Sequence, residues 1–400
     1  MSKKTGGLSI FALWFGAAIS LAEIMTGSLI APLGVARGIT VIILGHLIGC
    51  LILAAVGIMG FREKKPSQVA IRTSMGRYGS YLVSVFNIIQ LTGWTAIMLI
   101  QAARAMQSLA GDLFNINSFA VFVVFVGILV ALWAICAEKG ISLVNNAAVL
   151  LLIALSFVLL GSVLKGGQPL PVAGSISFGM ALELSIIMPL SWLPLISDYT
   201  MSAKTARGSF VGSFAGYFLG SCFMYIIGLV SAAYSGTSDP IAILLGLSMV
   251  FPALLIVILA TVTTTFLDVY SAVMSTVNLA PGASKKLLIV LYTAAGALLA
   301  LFFPMEQYES FLYLIGSLFA PAFSVILFDY FIYKKDWSEK RFNTVGIMAA
   351  MAGTIAYNII SVYDLALGSS LPSIIFTVVV YMVMRKAANI LRKGDYRHAG

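Results

Sequence analysis

The chain has 400 residues, 60% hydrophobic and only 10% charged, with a mean hydropathy of +1.02. A soluble domain carries about 25% charged residues, so the composition excludes a soluble enzyme or binding module and places the chain in a lipid bilayer. The formal net charge of +9 signals no nucleic-acid partner, because the basic residues follow membrane topology.

Twelve apolar runs, each long enough to cross the hydrocarbon core, lie near 8–36, 38–60, 77–108, 117–136, 140–164, 178–200, 206–234, 250–279, 286–303, 307–333, 343–363 and 369–388. Short loops join them. The sequence therefore predicts one all-α polytopic membrane domain over residues 1–400. The first run is too long for a cleavable signal peptide and continues into the bundle. With the N-terminus inside, 21 of the 24 Lys and Arg residues fall on the cytoplasmic side, and only Arg37, Arg104 and Lys165 on the other. This is the positive-inside bias. It predicts a multi-pass protein of the cytoplasmic membrane with both termini in the cytoplasm.

The first span contains "FGAAISLAEIMTGSLIAP", Phe15 to Pro32. It carries a carboxylate, Glu23, with Gly27 and Pro32 beyond it. A charge inside a span is a functional-site hypothesis by default. A break in the helix is expected near Met25, with Glu23 facing a polar cavity, where it accepts from a ring amine or carries a coupling proton. Carbonyls freed by the break, at Gly16 and at Ile19 or Ser20, are candidate cation donors.

In the third span, Gln90 and Trp94 are four residues apart and share a helix face. Tryptophan offers a flat apolar face, and glutamine a donor and an acceptor on one amide. The pair suits a flat heteroaromatic ring with a polar edge; core packing is the alternative for the tryptophan. Gln101 and Arg104 fall near the outer end of this span.

The sixth span reads "SIIMPLSWLPLISDYT", Ser185 to Thr200, with Pro189 and Pro194 inside the run and Trp192 between them. Proline removes a backbone donor, and broken backbone at membrane depth is tolerated only inside protein or against a cavity. The two breaks, near Met25 and Leu190, are about 165 residues and five spans apart. An odd offset turns the second unit upside down, the inverted repeat of secondary transporters. Residues 8–164 form the first repeat (helices 1–5), 178–333 the second (helices 6–10), and 343–388 the two extra helices. Glu183, closer to the outer face, is the weaker candidate.

The same offset carries Trp94 to the eighth span, "ILATVTTTFLDVYSA", where four hydroxyls and Asp268 fall within eight residues. Hard cations take oxygen ligands. The hydroxyls of Thr263 and Thr264, the carbonyl of Ala260 and the freed carbonyls of the first span form a candidate sodium cage. The alternative is that the threonines bond back to their own helix. Thr265 and Asp268 are candidates for the substrate wall. Cys50, Cys136 and Cys222 read as buried apolar thiols. His46 reads as a packed or interfacial residue and His398 as part of the tail. No metal-ligand spacing and no acid–base or nucleophile constellation appears, which argues against an enzyme.

Three segments carry a family resemblance: "LFAPAFSVILFDYFIYKK" at Leu318 to Lys335, "SDYT" at Ser197 to Thr200, and "TGWTA" at Thr92 to Ala96. Together they resemble the nucleobase:cation symporter family of cytosine, hydantoin and allantoin permeases, over nearly the whole chain. The resemblance implies a LeuT-like 5+5 inverted repeat with discontinuous helices 1 and 6 plus two C-terminal helices. It implies sodium as coupling ion, held by Ala260, Thr263 and Thr264. It implies a base stacked on Trp94 and a substrate site lined by Ser191. Two features depart from the family pattern. Its second stacking aromatic precedes Ser191, whereas here Pro189 falls near that place and Trp192 follows. Its polar amide on span 8 is replaced around Thr265 to Asp268. The chain is most similar to the hydroxymethylpyrimidine permease branch, which supplies a thiamine precursor, and Glu23 would complement that ring's exocyclic amine. Cytosine or another nucleobase, with proton coupling, is the alternative.

Overall fold

The computed structural model describes residues 4–114, 117–137, 169–170, 172–236 and 250–398, together with 147, 150–151, 153–154, 157–158 and 160–161. The expected fifth span, 140–164, lies for the most part outside the described residues. The described elements are helical apart from turns and one isolated bridge between Thr5 and Ala203. In chain order they are α1 (Gly7–Ala18), α2 (Leu21–Leu29), α3 (Val35–Glu63), α4 (Ser67–Ala70), α5 (Arg72–Met75), α6 (Arg77–Phe114), α7 (Phe119–Ala137), α8 (Phe178–Leu190), α9 (Ile196–Thr200), α10 (Ala206–Ser235), α11 (Val250–Leu279), α12 (Lys285–Phe302), α13 (Tyr308–Phe328), α14 (Thr344–Ser361) and α15 (Ser370–His398).

Among the described residues nine helices are long and apolar enough to cross a membrane. The pair α1 and α2 makes a further span, bent by 60° at its break. The sixth expected span is also discontinuous: α8 stops after 13 residues, and the chain turns before resuming as α9. Local chemistry sets several starts. Ser177, Ser20 and Thr205 each lend a side-chain oxygen to a backbone N–H of the first turn of α8, α2 and α10, satisfying a donor that has no intrahelical partner.

The helices fall into three packing groups. The broken span α1–α2 lies along α10, and α3 is sandwiched between α10 and α8. A second group joins α6, α7, α11 and α12. The last three helices pack on one another, with α13 reaching back to α8. Glycine permits the closest crossing: a Cβ on Gly228 would sit 1.9 Å from the Ile24 carbonyl oxygen, and one on Gly27 2.2 Å from that of Tyr225. Backbones can meet at that distance only where no side chain intervenes. Leu132, Leu298, Met351, Ile355 and Val383 are exposed on the outer surface, where a bilayer would meet them. Cys50 and Cys222 are buried as expected, but Cys136 is exposed on α7. It points away from the bundle, so the buried-thiol reading holds for only two of the three.

The ends of the last helical group are pinned by buried acids. At one end Glu183 accepts from the Tyr357 hydroxyl, from the Ser370 hydroxyl and from the backbone N–H groups of Ser369 and Ser370, all within 2.8 Å. Glu183 is 1% exposed, so this weaker site candidate is a buried anchor. At the other end Asp329 takes the Tyr381 hydroxyl and the Arg385 guanidinium.

Candidate functional site

The first break lies at Ile19 and Ser20, upstream of the position near Met25 that the sequence suggests. Ser20 is extended, with φ −143 and ψ 161, and its hydroxyl oxygen accepts from the Glu23 N–H at 3.4 Å. A serine able to cap a new helix decides where the chain restarts. Met25 and Gly27 stay helical inside α2, and Gly27 is there for close packing. Pro32 falls in a short 3-10 turn, Ala31–Leu33, that closes the span.

Glu23 occupies the first turn of α2 and is 2% exposed. Its carboxyl is already engaged. The Tyr217 hydroxyl donates to Oε1 at 2.7 Å, and the Ser221 oxygen lies 2.6 Å from Oε2. Trp192 Nε1 donates to the Tyr217 oxygen at 2.7 Å. His46 Nε2 lies 2.6 Å from the Ser221 oxygen, and His46 Nδ1 lies 2.8 Å from the Ile42 carbonyl. His46 is fully buried, so it is packed rather than interfacial, and it is bonded into the site. Tyr217, Ser221 and His46 were missed as site residues. The available signals were the i, i+4 spacing of Tyr217 and Ser221 on one helix face and a lone imidazole in an apolar span.

The second break runs from Ser191 to Leu195, next to the expected centre at Leu190. Its freed carbonyls are answered by side-chain amides. Gln90 Nε2 donates to the Ser191 carbonyl at 2.8 Å, and Gln68 Nε2 to that of Pro194 at 2.9 Å. Gln90 also donates to Asn87 Oδ1. Its amide N–H groups thus brace the break rather than line the cavity, and its Oε1 is buried without a partner. Gln101, near the outer end of α6, donates to the Met25 sulfur at 3.4 Å.

Between the two breaks lies a cavity of about 20 Å³, room for about one water. Ser20 and Glu23 line it from the first break, Ser191 and Trp192 from the second, Trp94 and Met98 from α6, Tyr217 from α10, and Thr264 and Asp268 from α11. The cavity therefore sits where the first two helical groups meet. Trp94 packs edge-on to Tyr308 and Phe311, and Trp192 edge-on to Trp14 and Tyr217.

Seven of the residues singled out from sequence thus share one wall: Ser20, Glu23, Trp94, Ser191, Trp192, Thr264 and Asp268. Gly16, Ile19, Gln90, Ala260, Thr263 and Thr265 are not on it. Thr263 donates to the Leu259 carbonyl at 2.9 Å, the helix back-bond that was the alternative to cation binding. The Thr265 hydroxyl and Asp268 Oδ2 are buried without partners. Buried polar atoms are ordinarily bonded, so this face of α11 holds unused donor and acceptor capacity beside the cavity. Among the described residues no group of three or more His, Cys, Asp or Glu side chains forms a metal cluster.

The family described as permeases for cytosine/purines, uracil, thiamine and allantoin matches residues 2–340. A cytosine permease of Escherichia coli O157:H7 is 23% identical over 368 residues, covering 89% of this chain and 86% of that protein. Two structures of Mhp1, one inward-facing and one closed with bromovinylhydantoin bound and described as a nucleobase-cation-symport-1 transporter, superpose with a TM-score of 0.82 at 18% identity. They cover 97% of this chain and 92% and 94% of theirs. A sodium-coupled sialic acid symporter superposes with a TM-score of 0.68 at 12% identity, over 95% of this chain and 88% of that one. The fold is thus that of LeuT-like polytopic membrane transporters.

Proposed function

Because the chain belongs to the family of permeases for cytosine/purines, uracil, thiamine and allantoin, we propose that it is a sodium-coupled symporter of an aminopyrimidine, with hydroxymethylpyrimidine as the best candidate. The observation that carries this reading is one cavity bounded by two tryptophans, two carboxyl groups and the turns of two broken helices. An aromatic ring stacks on Trp94. Glu23 accepts from the exocyclic amine. Ser191 and Asp268 read neighbouring ring atoms. The cavity is too small for a ring as it stands, so entry displaces side chains, and the flexible Met98 and Met188 on its wall suit that movement.

Sodium is assigned to the carbonyls of Gly16, Ile19 and Ala260 with the hydroxyls of Thr263 and Thr264. The Ser20 carbonyl is the alternative to that of Ile19, since the Ser20 hydroxyl caps α2. Residues 8–164 and 178–333 act as inverted repeats that rock about the cavity. The chain sits in the cytoplasmic membrane with both termini inside, as its basic residues direct. Uptake of a thiamine precursor would follow from the substrate assignment.

The test is binding to purified protein, read as a thermal shift over a panel of pyrimidines with and without sodium. Aminopyrimidines should raise the melting temperature most, and sodium should enlarge the shift. Replacing Thr263 and Thr264 together by alanine should abolish the sodium effect while leaving a smaller sodium-independent shift. A double variant that responds to sodium as the wild type does would overturn the ion assignment.

A further inference from the structure

The hydrogen bonds around Glu23 fix a proton count. A backbone carbonyl only accepts, so His46 Nδ1, 2.8 Å from the Ile42 oxygen, must carry a hydrogen. The Ser221 hydroxyl has one hydrogen and stands 2.6 Å from both His46 Nε2 and Glu23 Oε2. If it donates to His46, Glu23 must donate to Ser221 and is a neutral acid beside a neutral imidazole. If it donates to Glu23, then His46 Nε2 must also carry a hydrogen, and the pair is carboxylate and imidazolium. An arrangement with fewer protons sets two lone pairs against each other at 2.6 or 2.8 Å, and one with both Glu23 and His46 Nε2 protonated leaves the Ser221 hydrogen without an acceptor between its two partners. Both permitted arrangements hold one proton between Glu23 and His46, and both leave the pair with no net charge.

We propose that Glu23, Ser221 and His46 form a one-proton relay whose proton rests on Glu23 and passes to His46 when an amine-bearing substrate enters the cavity. The transfer balances without any other reactant. Glu23 Oε2 gives its proton to the Ser221 oxygen, and Ser221 gives its own to His46 Nε2. The products are a carboxylate facing the cavity and an imidazolium behind it. The neutral pair is favoured at rest, because a separated charge pair in a buried site carries a desolvation cost.

The titratable groups facing Glu23 from the packed elements are Tyr217, Tyr225 and Cys222 on α10, Cys50 on α3 and Tyr308 on α13. Asp268 on α11 shares the cavity. None of these supplies a positive charge. A substrate N–H aimed at the carboxyl tips the balance by donating to the charged form, alongside the Tyr217 hydroxyl that already does so. Glu23 thereby becomes a charged acceptor at the cavity wall with no proton drawn from water. This rests on the aminopyrimidine reading for the identity of the substrate, while the one-proton count rests on the hydrogen bonds and its resting place on the cost of burying a charge pair.

Infrared spectroscopy of the reconstituted full-length protein tests both parts. At neutral pH the substrate-free wild type should show a protonated-carboxyl C=O band that is lost in Glu23→Gln and shifted in Ser221→Ala. Absence of that band would overturn the proposal whether or not any pyrimidine binds, so its failure is separable from failure of the transport reading. Adding 4-amino-5-hydroxymethyl-2-methylpyrimidine should remove the band in the wild type. It should persist in Ser221→Ala and in His46→Gln, with binding confirmed in parallel by thermal shift. No net proton should reach a weakly buffered medium. A band unchanged in ligand-bound wild type, or a proton released to the medium on binding, would contradict the relay.

Discussion

At the scale of single residues, the proposed function gives most of the recognition to two side chains. Trp94 offers the aromatic face, and stacking a base on such a face is worth ~1–3 kcal/mol, roughly 5- to 150-fold in affinity. Trp94→Ala should weaken pyrimidine binding within that range, as measured by titration of the folded variant. Unchanged affinity would reduce Trp94 to a packing partner of Tyr308 and Phe311. In the same proposal Glu23 selects rather than stacks. Glu23→Gln keeps the shape but loses a proton site and an acceptor, so aminopyrimidines should lose more affinity than pyrimidines without the amine. Equal loss in both classes would assign Glu23 to the fold instead. Glu23, Trp94 and Asp268 were legible in the sequence, because polar or aromatic residues in mid-span are rare and costly. Tyr217, Ser221 and His46 were not. Their spacing and the lone imidazole were weak signals, and only the tertiary approach of α3, α2 and α10 turns them into one network. Gln90 was legible as a polar residue, but its use depends on which carbonyls the second break leaves free.

At the scale of elements, both interruptions were expected, and one was misplaced. The second is fixed by covalent chemistry: Pro189 and Pro194 withhold backbone donors, so the break falls beside them. The first lacks a proline at the break. There Ser20 competes with Gly27 for the role, and the serine wins because it can cap the outgoing helix. Gly27 meanwhile lets α2 lie on α10. That crossing gives a sharp prediction. Gly228→Ala would place a Cβ 1.9 Å from the Ile24 carbonyl oxygen, and the rigid partner is backbone. Overpacking of this kind costs ~1–3 kcal/mol or more. The variant should melt lower and lose substrate binding together, since the displaced helix carries Glu23. A variant with wild-type stability and affinity would mean that α2 and α10 do not pack as described.

At the scale of the whole molecule, the architecture follows from three helical groups and a cavity where two of them meet. The membrane class was readable from composition alone, because hydropathy integrates over the chain and no local detail can reverse it. The third group was readable only as extra spans; its anchoring through Glu183 and Asp329 depends on contacts between residues more than 50 apart. Alternating access requires that the cavity pass substrate from one face of the membrane to the other against a gradient. The measurement that tests this most directly is uptake of radiolabelled aminopyrimidine into proteoliposomes, with and without an inward sodium gradient, in the wild type and in Trp94→Ala. The account predicts accumulation above equilibrium that needs the gradient, is competed by unlabelled aminopyrimidine, and falls sharply in the variant. Uptake that never exceeds equilibrium, or that proceeds equally without sodium, would contradict it.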